Sequence, residues 1–178
     1  KGKARLQYII AQLYQQTGNE AKATAAFRQV SRYNPPFKMD FNARINAAGM
    51  FSGAGDPEKL KKDLRKMLRD EKNLEFRDQI YFALANIYFR EGDFEQAIEN
   101  YRKSVSSSVD NDHQLALSSI TLADLYFKEQ KDRDAQNYYD SAMLVINEEY
   151  PGYVKINDRY TSLSRLVENL TVVEVQDS

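Results

Sequence analysis

Few side chains in this chain are equipped for chemistry, and none stands in a pattern that would use it. His113 is the single histidine and Cys is absent. A lone imidazole placed in a connector has no partner at metal-ligand or nucleophile–base spacing, so it reads as a surface residue. Without Cys there is neither a disulfide scaffold nor a thiolate site. The acidic pairs Glu148–Glu149 and Asp132/Asp134 fall at helix ends or turns, where carboxylates cap and solvate. No Ser sits in a nucleophile elbow, and no Gly-rich loop follows a strand pattern. We therefore expect no enzyme activity, no cofactor and no metal. The densest charge is Lys59, Lys61, Lys62, Arg65, Lys66 and Arg69. With Leu60, Leu64, Met67 and Leu68 between them, they read as the solvated face of an amphipathic helix. The sharper reading, a basic docking patch, is diluted by Asp63, Asp70 and Glu71.

The elements that would position any site are helical hairpins. In Tyr81 to Tyr101, Tyr81, Leu84, Ala85 and Tyr88 recur at three- and four-residue steps, and Phe94, Ala97, Ile98 and Tyr101 do the same. Gly92 can take the left-handed conformation that closes the first helix, and Asp93 is a good N-cap for the second. The 178 residues are 42% hydrophobic, enough to bury a core, and four Pro and seven Gly favour helices over a turn-rich β fold. A net charge of −1 gives no argument for nucleic acid as a partner. The longest apolar run, Ile80 to Ile87, is too short to span a bilayer, so no membrane insertion is expected of this stretch. Starting at Lys1 and ending at Ser178, the chain reads as an excised piece of a longer protein. Oligomeric state is open at this level.

The hairpin repeats. Aligned on the second aromatic of the opening helix, Tyr14, Phe51, Tyr88 and Tyr126 are 37, 37 and 38 residues apart, the spacing of a helical-hairpin array. Three residues before each stands Ala11, Ala48, Ala85 or Ala123. Nine after come Ala23, Leu60, Ala97 and Ala135; thirteen after, Phe27, Leu64, Tyr101 and Tyr139. Gly18, Gly55 and Gly92 fill the turn, with Gln130 in the fourth copy. Predicted copies span about 3–36, 39–73, 75–110 and 111–149, within an array at 1–150 followed by a C-terminal segment at 151–178. The first helix is expected over about 3–16, the second to about Tyr33, and a helix at 57–70 started by Asp56 and Pro57. Copy two is the least regular. Spacers fall at 34–38, 70–74 and 106–112, and Pro35–Pro36 mark the first firmly. The last helix, 154–173, would either cap the stack or open a fifth hairpin, with 170–175 prone to fray.

These offsets resemble the tetratricopeptide repeat (TPR) family over about Leu6 to Asn147. Gln7, Arg44, Tyr81 and Ser119 stand where the family carries a Trp. The resemblance implies an all-α fold: an α-solenoid of four TPR hairpins with a C-terminal capping helix, wound as a right-handed superhelix. It also implies a non-enzymatic module that binds a peptide or protein surface in a concave groove lined by the first helix of each hairpin. Transferred to this chain, the groove positions are Arg5, Tyr8, Gln12, Gln15 and Gln16; Asn42, Ile45, Gly49, Ser52 and Gly53; Gln79, Phe82, Asn86, Phe89 and Arg90; and Leu117, Ile120, Asp124, Phe127 and Lys128. Of these, Tyr8, Gln12, Gln15, Asn42, Ile45, Phe82, Asn86, Phe89, Arg90, Ile120, Asp124, Phe127 and Lys128 are the candidate binding residues. Amides can pair with a peptide backbone and phenylalanines can hold apolar side chains. The bland alternative for the aromatics is packing between hairpins. Asn86 and Arg90 match part of the family's carboxylate clamp, whose full basic set is missing. The other function class is a structural spacer or homo-oligomerisation segment.

A narrower stretch, Asn34 to Asn46, is similar to the second-repeat entry of TPR lipoproteins of Bacteroidetes linked to type IX secretion and gliding motility. The closing Val175 to Ser178 is similar to the residues just beyond the repeats in those lipoproteins. That resemblance implies scaffolding in a cell-envelope assembly facing the periplasm; without it the expectation is cytoplasmic.

Overall fold

The computed structural model describes residues 2–51 and 56–176, and every regular element among the described residues is helical. In chain order these are α1 (Gly2–Gln16), α2 (Glu20–Val30), α3 (Phe37–Gly49), α4 (Pro57–Arg69), α5 (Arg77–Glu91), α6 (Phe94–Ser107), α7 (Asp112–Lys128), α8 (Asp132–Met143) and α9 (Tyr153–Gln176). The fold class is all-α, of the helical-hairpin α-solenoid kind. Ser52, Gly53 and Gly55, expected in the groove and the second turn, lie outside the described residues. The chain divides into two compact units, Lys1–Asn100 and Tyr101–Ser178, and the division falls inside α6.

Turn chemistry sets the hairpins. Gly92 takes φ 82 and its N–H bonds back to Phe89, closing α5. The Asp93 carboxylate then accepts the Gln96 N–H at 3.1 Å, satisfying a donor at the start of α6. Gly18 (φ 71) and Asn19, which accepts from the Lys22 N–H at 3.2 Å, repeat this between α1 and α2. Asp56 caps α4 through the Lys59 N–H at 3.1 Å, with Pro57 at the first helical position. In the fourth copy Gln130 adopts the same left-handed turn, φ 58, that glycine adopts elsewhere.

In the first unit the copies share their apolar cover. Ala11, Ala23, Phe27, Val30, Ala43 and Ala47 join α1, α2 and α3. Phe41, Leu60, Leu64, Ile80, Leu84 and Ile87 join α3, α4 and α5. Each helix thus covers a stripe its neighbour cannot bury alone. In the second unit Tyr126 and Ala123 of α7, Ala135, Tyr139 and Ala142 of α8 and Leu163 of α9 are buried.

Several boundaries differ from those read in the sequence. The second helix stops at Val30 and tightens into a 3-10 turn, Ser31–Tyr33, before Asn34 at φ 46. The spacer expected at 70–74 is a 3-10 helix, Glu71–Phe76, started by the Asp70 side chain and fixed by buried Asn73, whose amide donates to the Met67 carbonyl at 2.9 Å. His113 lies in the first turn of α7 rather than in a connector, and it is exposed. The C-terminal helix continues through the β-branched stretch to Gln176. β-branched residues disfavour a helix by only tenths of a kcal/mol each, so a helix already under way runs through them.

Candidate peptide-binding site

The predicted groove residues come from α1, α3 and α5 in the first unit and from α7 in the second. On α1, Arg5, Gln12, Gln15 and Gln16 are exposed and Tyr8 is half-buried. On α3, Asn42, Ile45 and Gly49 are half-buried. On α5, Gln79, Phe82 and Asn86 are half-buried, while Phe89 and Arg90 at its C-terminal end are exposed. On α7, Leu117, Ile120 and Asp124 are half-buried, and Phe127 and Lys128 are exposed.

Some of these side chains are committed to holding the protein together. The Tyr8 ring meets Phe27 edge-on at 5.4 Å, and its hydroxyl accepts the Asn46 amide at 3.0 Å. That ties copy one to copy two. Burial pushes the Tyr8 phenol above its ordinary pKa, and the Asn46 bond pulls it back in part. Ile45 packs against the Phe41–Leu64–Ile80 core. Asp124 accepts from the Tyr139 hydroxyl at 2.5 Å and from the Arg159 guanidinium at 2.6 Å, joining α7, α8 and α9. Arg159 also lies over the Phe127 ring, 5.9 Å from its centroid.

What remains presented repeats. Phe89 and Arg90 follow the anchor Tyr88, and Phe127 and Lys128 follow Tyr126, so each unit carries an exposed aromatic next to an exposed cation at the end of a first helix. Phe89 is braced edge-on by Phe94 at 5.4 Å. The same offsets in copy one hold Gln15 and Gln16. Such a pair offers an apolar platform and a charge. Clefts elsewhere in the first unit include one of about 260 Å³, lined by Phe37, Asp40, Arg44, Lys66, Asp70 and Asn73 among others, and one of about 590 Å³, lined by Arg28, Gln29, Arg32, Arg44, Lys59 and Asp63 among others. Both linings are more charged than a small-molecule pocket, which is mostly apolar with few polar groups.

The basic run on α4 is not the uniformly solvated face expected. Lys61 is buried, its ammonium 2.5 Å from Glu58 and 2.8 Å from Glu91, and it lies 4.9 Å from the centre of the Tyr88 ring. Burial pulls the Lys61 pKa down, but the bonds and charges of the two glutamates outweigh it and hold the group above its ordinary value. Arg65 donates to the Tyr88 hydroxyl. One copy later Arg102 of α6 donates to the Tyr126 hydroxyl at 2.5 Å. The signal for this tie is in the sequence, since Arg65 and Arg102 both stand fourteen residues after an anchor. The role of Arg159 carries no such signal, because α9 has no equivalent earlier in the chain.

Residues 77–143 match a tetratricopeptide repeat family model, and residues 4–37 match a second tetratricopeptide repeat model. The two matches leave out copy two, the least regular one. Among solved structures, the crystal structure of MamA protein aligns with a TM-score of 0.57 and 14% identity, covering 93% of this chain and 83% of that chain. At that identity the likeness speaks for the fold alone. No curated protein matches the sequence significantly.

Proposed function

Because the chain belongs to the tetratricopeptide repeat family, a family of protein-interaction scaffolds, we propose that it binds extended segments of a partner protein on the exposed faces of the first helices within each unit. The observation that carries the proposal is the aromatic–cation pair, Phe89–Arg90 in the first unit and Phe127–Lys128 in the second. The phenylalanines hold an apolar side chain of the peptide, and Arg90 and Lys128 favour an acidic residue beside it. Gln12, Gln15 and Asn42 supply donors and acceptors to its backbone. In the first unit Phe82 shapes the floor and Tyr8 and Ile45 hold the wall in place; in the second, Ile120 and Asp124 take the same two roles.

Selection of peptides from a random library against the whole chain tests this. Selected peptides should carry an apolar residue beside an acidic one. Replacing Phe89 and Arg90 together with Ala should weaken them by tenfold or more, about 1.4 kcal/mol. Unchanged affinity in that variant, with helical content intact, would overturn the reading. The finer part of the proposal, scaffolding within a cell-envelope assembly, rests on the resemblance of the 34–46 stretch. Fractionation of the native protein tests that part, and recovery from the cytosol alone would sink it.

A further inference from the structure

Among the described residues, three buried side-chain polar atoms have no hydrogen-bond partner: Asp40 Oδ1, Asn73 Oδ1 and Ser119 Oγ. Two of the three belong to residues that line one concavity, the cleft of about 260 Å³ formed by α3, the end of α4 and the 3-10 helix Glu71–Phe76. A buried acceptor left unpaired is costly, so two in one cleft point to a donor that fills them. Both are held in place. Asn73 is 4% exposed, and its amide nitrogen is committed to the Met67 carbonyl at 2.9 Å, which leaves the oxygen unpaired. The other oxygen of Asp40 accepts from Arg44 Nε at 2.9 Å. None of the groove positions lines this cleft.

The rest of the lining defines the donor. Phe37 is 46% exposed, and its ring stands 6.4 Å from Phe41 and 6.3 Å from Phe76, which themselves pack at 4.8 Å. An exposed ring braced in this way is a platform for a cation. One of the unpaired acceptors is a carboxylate oxygen, whose strongest bonds are with a charged donor. A guanidinium brings five N–H groups in a fixed fork, enough for both oxygens, and stacks on an aromatic face; an ammonium lacks the fork and the plane. The charges of the lining are Asp40 and Asp70 against Arg44, Lys66 and Lys72. Asp70 already accepts the Lys72 N–H at 3.1 Å. Asp40 Oδ1 and Asn73 are buried, whereas the Lys66 and Lys72 side chains are exposed. An incoming cation therefore meets acceptors within and ammonium groups at the rim, and it needs an acidic neighbour to answer the rim.

We propose that this cleft receives an arginine side chain of a partner protein. Its guanidinium bonds to Asp40 Oδ1 and Asn73 Oδ1 and lies against Phe37, and an acidic residue beside it in the partner's sequence engages Lys66 or Lys72. A free small molecule suits the site less well. Five of the lining side chains are charged, whereas a small-molecule pocket is mostly apolar. Arginines that fill a pocket are, by contrast, recurrent anchors of protein interfaces. The inference stands apart from the groove reading, because it shares no residue with the Phe89–Arg90 pair or with the amides assigned to the peptide backbone.

The test uses the full chain, labelled for two-dimensional NMR, and a capped tripeptide with arginine between two aspartates. The tripeptide should shift the side-chain amide signal of Asn73 in a saturable way. Replacing its arginine with citrulline, which keeps the shape and removes the charge, should weaken binding about tenfold. Asp40→Asn in the chain should weaken it about fivefold, and Phe37→Ala about threefold. The citrulline comparison needs no variant, so it decides the matter whatever Asp40→Asn does to folding. The Phe89/Arg90 double alanine variant should bind the tripeptide normally, which separates failure here from failure of the groove. Absence of a saturable shift, equal binding of the citrulline peptide, or binding by a folded Asp40→Asn variant at full strength overturns the proposal. Free arginine binding as tightly as the tripeptide would assign the cleft to a small molecule and overturn it as well.

Discussion

Lys61 shows how a single side chain departs from the role its neighbours suggest. It belongs to a basic run, yet it is buried between Glu58 and Glu91. A buried ammonium is stable only while its partners remain, so removing one partner should cost more than removing the charge itself. Glu91→Gln should lower stability by about 1–2 kcal/mol in urea unfolding, whereas Lys61→Met, which keeps the stem, should stay within about 1 kcal/mol of wild type. The folded-state pKa of Lys61 is raised. Its contribution is therefore complete below the unfolded pKa of about 10.4 and is lost as pH rises through the folded value. Gln130 makes a second residue-scale case. It holds φ 58 where Gly18 and Gly92 hold φ 71 and φ 82. A side chain in the left-handed region costs about 1–2 kcal/mol, against about 0.5–1 kcal/mol for the added freedom of an unfolded glycine. Gln130→Gly should stabilise the protein by roughly 0.5–1 kcal/mol, read as a higher urea midpoint.

Between elements, the joints written in local residue types were legible and those made by distant partners were not. Gly92–Asp93, Gly18–Asn19 and Asp56–Pro57 announce their turns because the residue itself supplies the φ or the capping oxygen. The 3-10 helix at Glu71–Phe76 is silent in the sequence, since its composition is that of any polar spacer and its anchor is the bond from Asn73 to Met67. The burial of Lys61 depends on Glu91, thirty residues away. Likewise Asp124 reads as a groove residue until Tyr139 and Arg159 are seen to converge on it. That joint of α7, α8 and α9 has a pH signature. Burial, then the bond to Asp124, raises the Tyr139 phenol to about 12. The unfolded chain ionises this tyrosine near pH 10, so stability is fully present below that and falls between about pH 10 and 12, by at most roughly 1.4 kcal/mol per pH unit. Tyr139→Phe should flatten that part of the alkaline unfolding profile; an unchanged slope would remove Tyr139 from the joint.

At the scale of the molecule, stability in an array of this kind comes from neighbour contacts, so the same register position should cost different amounts in different copies. Leu6 and Ile80 make the sharpest comparison. Both stand eight residues before an anchor on a first helix, but Leu6 is open and Ile80 is covered by α4. Gln is as good a helix former as Leu and somewhat better than Ile, so propensity does not weaken either helix. Leu6→Gln should therefore move stability by less than about 0.5 kcal/mol, as exposed substitutions do. Ile80→Gln places an amide among Leu64, Leu84 and Ile87, where nothing apolar can satisfy it, and should cost about 3 kcal/mol or more. Urea midpoints of the two variants, measured in the whole chain, check this directly. If Leu6→Gln were as damaging as Ile80→Gln, Leu6 would have to be covered in the isolated protein, against its open position on α1.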